Sequence, residues 1–216
     1  MKFYSRYSSA TTYPLMILGF VFLVIYSIQV LAEPKGSTYL VLEISSEAIV
    51  WIFIADLIVR AIGYGKSLFT VKGFVDFTRA NWLPILAAVI PAFRALRFLR
   101  VLIVLRSLAP LLKTRFDRVG FVVSVTLPLV LYVSALSILE AERYAEGSNI
   151  QTFGEALWWS LVSVTTVGYG DLFPVTDAGR ATATFLMFIG IGLFSALTAL
   201  LAAWVLGQEK VKASES

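Results

Sequence analysis

The sequence predicts an all-α membrane protein with six transmembrane helices plus a re-entrant pore helix. Of its 216 residues, 58% are hydrophobic and only 15% are charged, against roughly 25% charged in ordinary globular domains. Long apolar runs recur along the chain, at 14–32, 39–59, 82–93, 119–139 and 181–207. These runs exceed what a soluble core of this length can bury, so the solvent of the protein must be the bilayer.

The composition also excludes several classes of function. The chain has no Cys and no His, so it lacks thiolate chemistry and the commonest metal ligand. Because no polar catalytic cluster is visible in the sequence, we expect no enzyme activity and no cofactor, and we expect no nucleic acid partner. A secondary transporter subunit would have broken helices in both halves of the chain, and only the second half contains a re-entrant element.

The order of the predicted spans follows from these runs. We predict spans at about 14–32, 39–61, 80–91, 92–109, 119–139 and 181–207. The polar residues 66–79 form either an inner loop or a short interfacial helix. When the N-terminus is placed in the cytoplasm, most Lys and Arg of the loops also lie inside, as the positive-inside rule expects. The protein is therefore predicted to cross the cell membrane several times, with cytoplasmic N- and C-termini.

The segment between the last two spans has a different pattern. Thr152 and Glu155 have the spacing of a capping box, which opens a helix, and this helix ends near Thr165, too early to span. Residues 166–174 must then return in irregular backbone. Such backbone is tolerated at membrane depth only when it is buried in protein or lines an aqueous path. The segment therefore predicts a pore.

The strongest motif in this segment is Thr166-Val167-Gly168-Tyr169-Gly170, which we call the TVGYG segment. Consecutive carbonyl oxygens point the same way only if some residues adopt left-handed backbone angles, which glycine permits. The motif resembles the selectivity filter of potassium channels, in which four copies surround one ion path. The resemblance implies that these five residues select K⁺, which would be the permeant ion and the only metal.

The flanking sequence extends the resemblance over about 150–212. The runs ALWWS at 156–160, DLFPVT at 171–176 and TALLAAW at 198–204 closely resemble the pore of the small two-helix bacterial potassium channels. The resemblance implies that Trp158 and Trp159 support the filter from behind and that Asp171 bonds to Trp158. Interfacial anchoring is the alternative for the tryptophans. Val162 stands among these filter-supporting residues where that family often has a glutamate.

The last span contains candidates for a hinge and a gate. Gly190 lies where the resemblance places the hinge of the inner helix, and Gly192 is a second candidate. Close packing between membrane helices is the alternative explanation for both glycines. Leu206 would lie where four inner helices converge, and a ring of apolar side chains there closes a pore by dewetting.

The outer loop before the re-entrant helix is acidic. It contains Glu140, Glu142 and Glu146. In a tetramer these carboxylates would surround the pore mouth and raise the local cation concentration. The alternative is an ordinary solvated turn.

The span at 92–109 carries four arginines, Arg94, Arg97, Arg100 and Arg106. A charge at membrane depth is unfavourable by roughly 2.5 to 3.5 kcal/mol even on the mildest scale, so these side chains require partners and a purpose. The pattern resembles the fourth helix of voltage-gated cation channels, which implies that the four arginines are gating charges. A basic helix lying on anionic lipid is the alternative.

The second span supplies residues that such a sensor requires. Phe53, Asp56 and Arg60 have the aromatic, acidic and basic spacing of that family. The resemblance implies that Phe53, Asp56, Glu47 and Glu43 are charge-transfer partners of the arginines. However, Glu47 lies about 180° around the helix from Asp56, and the third span has a proline where related sensors have an aspartate. Voltage dependence is therefore expected to be shifted or shallow.

Together these features resemble the prokaryotic six-transmembrane voltage-gated potassium channels. One TVGYG segment cannot surround an ion, so we expect a homotetramer, with anionic membrane lipids as partners at the inner face. We predict a voltage-sensor-like domain at 1–109, a linker along the inner membrane surface at 110–118 and a pore domain at 119–216. The alternative is a potassium channel gated by lipid or another stimulus, with a vestigial sensor.

Overall fold

The computed structural model describes residues 2–89 and 117–215. These residues form α1 (Lys2–Leu31), α2 (Ser37–Tyr64), α3 (Val71–Val89), α4 (Asp117–Glu142), α5 (Phe153–Val164) and α6 (Asp177–Glu215). A 3₁₀ helix, Gly65–Phe69, joins α2 to α3. The predicted span at 92–109 and nearly all of the predicted linker lie outside the described residues.

The chain divides into two compact units, Met1–Pro110 and Leu111–Ser216. In the first unit, α2 packs against both α1 and α3. In the second unit, α4 packs against α5 and α6, and α5 also contacts α6. The three domain ranges given by the sequence stay a prediction.

Three of the described helices are long and apolar enough to cross a membrane. The apolar segments are Tyr13–Leu31 in α1, Val123–Glu142 in α4 and Asp177–Leu206 in α6. They correspond to the first, fifth and sixth predicted spans. Large apolar side chains are exposed along these segments, for example Val24 and Phe188. Such exposure is expected where a helix contacts lipid or another protein. The total of six spans stays a prediction.

The third helix begins earlier than the sequence suggests. Residues 71–79 are helical and belong to α3, so they form a helix and not a loop, while their position at the membrane interface stays a prediction. The helix is interrupted at Asn81, whose φ of −126° and ψ of 23° are not helical. A proline has no backbone N–H to donate to the preceding turn, and Pro84 follows Asn81 by three residues. The proline therefore explains a break at this point.

Each unit has its own apolar core. In the first unit, Phe22 of α1 packs with Ile49 and Phe53 of α2, and all three are at most 5% exposed. In the second unit the whole stretch from Val133 to Leu139 of α4 is buried. Neighbouring positions point to different sides of a helix, so this stretch is covered on several sides. The helix α4 is therefore the central helix of the second unit, in contact with both α5 and α6.

Candidate functional site

The capping box at the start of α5 is present. The Oγ1 atom of Thr152 accepts a hydrogen bond from the amide of Glu155 over 3.3 Å. In return, Oε2 of Glu155 accepts from the amides of Gln151 and Thr152, each over 2.8 Å. These two amides hold the pKa of Glu155 below its ordinary value, because hydrogen bonds to a carboxylate favour its charged form. The box fixes where the chain enters α5.

The helix α5 cannot cross a membrane. It contains 12 residues, whereas a transmembrane helix needs about 20. One face of α5 is buried within the chain, including Trp159 and Val162. The other face is open, because Leu157, Trp158 and Leu161 are 37 to 44% exposed. Among the described residues, contacts therefore hold α5 from one side only.

The TVGYG segment follows α5 with an alternating backbone. The angle φ is positive at Thr166 (61°), Gly168 (59°) and Gly170 (78°). Left-handed angles at the two glycines are those that aligned carbonyls require. The positive φ of Thr166 was not anticipated from the sequence. It is an outlier for a β-branched residue, so local contacts must hold Thr166 in place.

Hydrogen bonds to α5 fix the direction of this backbone. The amides of Thr166, Val167 and Gly168 donate to carbonyl oxygens in the last turn of α5, over 3.1, 3.1 and 3.4 Å. The Val162 carbonyl receives two of these bonds. In a planar trans peptide the C=O bond points opposite to the N–H bond, and no described peptide bond is cis. The carbonyls of Thr165, Thr166 and Val167 therefore point away from α5.

Aromatic side chains of α5 and the TVGYG segment lie against each other. The rings of Trp158 and Tyr169 stack with centroids 5.8 Å apart and an interplanar angle of 4°. The Nε1 atom of Trp158 donates to Oδ2 of Asp171 over 2.9 Å, the contact that the resemblance implies. Tyr169 is still 68% exposed in the single chain. Much of this aromatic surface is thus available to a neighbouring molecule.

The residues after the TVGYG segment are held from the α4–α5 connection. The Nδ2 atom of Asn149 donates to the carbonyl of Asp171 over 2.9 Å. The amide of Phe173 donates to Oδ1 of Asn149 over 3.2 Å. Sequence reasoning did not identify Asn149, because these partners are 22 and 24 residues away along the chain.

A second anchor for the same stretch is Glu142, the last residue of α4. Its side chain accepts hydrogen bonds from the amide of Val175 over 3.1 Å and from the amide and hydroxyl of Thr176 over 2.9 and 2.7 Å. Glu142 is 0% exposed. The expectation that Glu142 contributes to an acidic ring at the mouth is therefore wrong, and so is the solvated turn for this residue. Glu146 is exposed and Glu140 is half-buried.

The glycines of α6 differ in their surroundings. A Cβ atom at Gly190 would lie 2.8 Å from Cγ2 of Val164, at the end of α5. A Cβ atom at Gly192 would meet nothing within 4 Å. The structure thus gives Gly190 a packing contact, and α6 continues through both positions. The hinge at either glycine and the gate at Leu206, which is 58% exposed, stay predictions.

The buried face of α2 carries the predicted sensor residues of the first unit. Phe53, Asp56 and Arg60 are all buried. The Nε atom of Arg60 is 2.8 Å from Oδ2 of Asp56, and Nη2 of Arg60 donates to Oγ1 of Thr11 over 3.1 Å. A buried charge is tolerated when it is paired and hydrogen-bonded. Arg60 is therefore held in place by both α1 and α2.

The other predicted sensor residues are less well placed or are not described. Glu43 is half-buried, whereas Glu47 is exposed. Glu47 does not share the buried face of Asp56, so no described contact supports it as a partner for gating charges. The predicted gating charges lie outside the described residues, namely Arg94, Arg97, Arg100 and Arg106.

Part of the second unit matches a known protein family. Residues 121–206, from α4 through α5 and the TVGYG segment into α6, match a protein family described as "Ion channel". This segment contains all of the contacts around the TVGYG segment described above.

Three curated proteins with similar segments are described as potassium channels or as a potassium channel subunit. The calcium-gated potassium channel TvoK of Thermoplasma volcanium is 42% identical over 77 residues, covering 36% of this chain and 22% of TvoK. The delayed-rectifier potassium channel regulatory subunit KCNS2 of Mus musculus is 39% identical over 92 residues, covering 40% and 18%. The cyclic nucleotide-gated potassium channel mll3241 of Mesorhizobium japonicum is 36% identical over 74 residues, covering 34% and 21%. The chain therefore matches about a fifth of the length of these relatives.

Proposed function

We propose that this protein is a voltage-gated, potassium-selective ion channel of the cell membrane, not an enzyme, and that it works as a homotetramer. The observation that carries the proposal is the backbone of the TVGYG segment. Positive φ angles alternate at Thr166, Gly168 and Gly170, and the hydrogen bonds to α5 turn the carbonyls of the inner half away from that helix. This geometry suits a row of oxygens that replaces the hydration shell of K⁺.

The mechanism follows from these oxygens. Four TVGYG segments around an axis would offer several stacked sites, and K⁺ would shed water to enter them and regain it on leaving. Conduction requires binding that is favourable enough for entry and weak enough for exit. The match of residues 121–206 to the ion-channel family and the similarity to potassium channels support this proposal.

The tetramer follows from the same segment. One copy of the TVGYG segment offers oxygens from one side only, so closed rotational symmetry is needed to surround the ion. The open face of α5 supports this arrangement. Val167 and Tyr169 are 54 and 68% exposed in one chain, and neighbouring chains would cover such surfaces.

Gating by voltage has separate support from the first unit. Buried Phe53 and the buried pair Asp56–Arg60 provide an aromatic ring and a fixed pair of opposite charges within α2. The arginine spacing at 94–106 would supply the moving charges. A channel opened by lipid or another stimulus is the second candidate, because similar relatives are described as gated by calcium or by a cyclic nucleotide.

Recording from the purified protein in planar bilayers, with K⁺ on one side and Na⁺ on the other, tests this function. The parent should conduct with a reversal potential set by K⁺. Gly168→Ala should abolish conduction or selectivity, because its Cβ would be strained at a φ of 59°. Gly147→Ala is the matched control, since Gly147 also has a positive φ, of 78°, but lies before α5.

Two outcomes would contradict the proposal. One is a parent that shows no K⁺ current although it is a tetramer by native mass measurement. The other is a Gly168→Ala variant that conducts with an unchanged reversal potential, because the TVGYG segment would then not select the ion.

A further inference from the structure

The outer end of the TVGYG segment has fewer backbone contacts than its inner end. Among the described residues, the backbone hydrogen bonds that join the segment to α5 come from Thr166, Val167 and Gly168. Gly168 and Gly170 have positive φ angles and open space where a Cβ would lie. Apart from the stacking of Tyr169 on Trp158, the backbone around Gly170 therefore depends on contacts made by the residues that follow it.

Asn149 makes a matched pair of these contacts. Its amide donates to the carbonyl of Asp171 over 2.9 Å and accepts from the amide of Phe173 over 3.2 Å. A side-chain amide carries donors on nitrogen and an acceptor on oxygen, and only one orientation suits both partners. Rotating the amide by half a turn would place oxygen against oxygen and N–H against N–H. The pair therefore fixes the position of the backbone from Asp171 to Phe173.

The contact complements the bond that Asp171 makes through its side chain. Trp158 holds the carboxylate of Asp171 from α5, over 2.9 Å, while Asn149 holds the carbonyl of the same residue from the α4–α5 connection. Asp171 directly follows Gly170. Two restraints from different parts of the chain thus meet at the first residue beyond the TVGYG segment.

We propose that Asn149 is a positioning residue for K⁺ conduction: its side-chain amide holds the backbone that leaves the TVGYG segment, and thereby keeps the outermost carbonyls in their conducting arrangement. The proposal rests on the function proposed above. Asn149 acts through Asp171 and Phe173. Bound K⁺ favours the same arrangement, since a ligand stabilises the state that binds it. Loss of Asn149 should therefore be offset by external K⁺.

The test measures the fraction of time that single channels conduct, in low and in high external K⁺. Asn149→Ala should lower the ratio of conducting to non-conducting time in low K⁺ by roughly 5- to 30-fold, as expected when two ordinary hydrogen bonds are lost. High external K⁺ should restore most of it. Asn149→Gln keeps both hydrogen-bonding groups and should recover part of the loss.

Ser148→Ala is the matched control. Ser148 is in the same connection, and its hydroxyl accepts from the amide of Ile150 over 3.2 Å, without a described hydrogen bond to residues 171–173. This variant should behave like the parent. If Asn149→Ala does not assemble, Asn149→Asp decides, because it has the same shape, removes the donor to Asp171 and places a charged carboxylate oxygen against that carbonyl. It should reduce conducting time in the same K⁺-dependent way.

The outcomes separate the two proposals. If the parent selects K⁺ but both Asn149→Ala and Asn149→Asp match Ser148→Ala, the role of Asn149 is refuted and the channel function stands. If conduction falls but external K⁺ does not restore it, Asn149 is only structural and the proposal is also refuted. A parent tetramer without K⁺ current would overturn both the function and this role.

Discussion

The carboxylate of Glu142 occupies the space beside the backbone of Gly179, because a Cβ atom on Gly179 would collide with Oε1 of Glu142. Glu142 ends α4 and Gly179 lies in the first turn of α6. Between them, Glu142 accepts two hydrogen bonds from Thr176, and the Thr176 hydroxyl in turn accepts from the amide of Gly179. This contact ties the start of α6 to the end of α4.

We predict that substitutions at either position weaken the second unit. Gly179→Ala forces a methyl group into the carboxylate, and overpacking of this kind costs typically about 1 to 3 kcal/mol. Glu142→Gln replaces an acceptor-only group by one with two donors, and hydrogen bonds to a charged group contribute about 1.5 to 3 kcal/mol. Both variants should lower the thermal midpoint of the purified protein in detergent.

Glu146→Gln is the control for the change in charge, because Glu146 is an exposed acid in the same connection. Its midpoint should match that of the parent. Equal midpoints for Glu142→Gln and Glu146→Gln would show that the carboxylate of Glu142 does not anchor α6.

Local patterns in this sequence predicted local structure well. The capping box at Thr152 and Glu155 is present, and positive φ angles occur at Gly168 and Gly170, because a short motif contains all the atoms involved. The role of Glu142 was predicted wrongly, because the backbone amides that donate to its carboxylate lie 33 and 34 residues away along the chain. The composition of the loop shows that it is acidic. It does not show the distant amides that bind one of its carboxylates and bury it.

Gly190 should tolerate a methyl group less well than Gly192. The Cβ of Gly190→Ala would lie 2.8 Å from Cγ2 of Val164 and 3.3 Å from its Cβ, so α5 and α6 would have to separate. Gly192→Ala meets nothing within 4 Å and removes a residue that disfavours helix by about 1 kcal/mol. We expect a lower thermal midpoint for Gly190→Ala and an equal or higher one for Gly192→Ala.

A second-site change tests the contact directly. Val164→Ala removes the methyl groups that Gly190→Ala would meet, so the double variant should lose less stability than the sum of the two single variants. Additive losses would mean that Gly190 does not pack against Val164, and its importance would then have to lie in bending of α6.

Glu155 should give the start of α5 a pH-dependent stability. The amides of Gln151 and Thr152 lower its pKa from the ordinary 4.5. The stabilisation is therefore fully present above the unfolded pKa and is lost as the pH falls through the lower folded value. The thermal midpoint of the parent should exceed that of Glu155→Gln at neutral pH, and the difference should shrink below pH 4.5. A difference independent of pH would show that the carboxylate charge is not involved.

The sequence singled out Asp56 and Arg60 on α2, but not their contact with each other. The two residues are four positions apart on one helix face and form an ion pair. The contact of Arg60 with Thr11, 49 residues away, needed the packing of α1 on α2 and was not visible in the sequence. Because Arg60 has partners on two helices, we expect it to stay fixed while other charges move.

The final prediction concerns the moving charges. If about three arginines per subunit crossed the membrane field, about twelve charges would move in a tetramer, and at about 2.3 kcal/mol per charge per 100 mV this supplies about 28 kcal/mol to bias opening. Even a third of this energy is enough to control a gate. Neutralising Arg97 and Arg100 together should therefore flatten or shift the relation between conductance and voltage.

Two further variants define the path of those charges. Asp56→Asn should alter the same relation, because it removes a buried carboxylate of α2. Arg79→Gln is the control, since Arg79 is an exposed arginine of α3 outside the predicted stripe, and it should leave slope and midpoint unchanged. If the Arg97 and Arg100 double variant also keeps the slope and midpoint of the parent, its arginines do not cross the field. Opening would then have to be driven by lipid or another stimulus, with α2 and its partners acting as a scaffold.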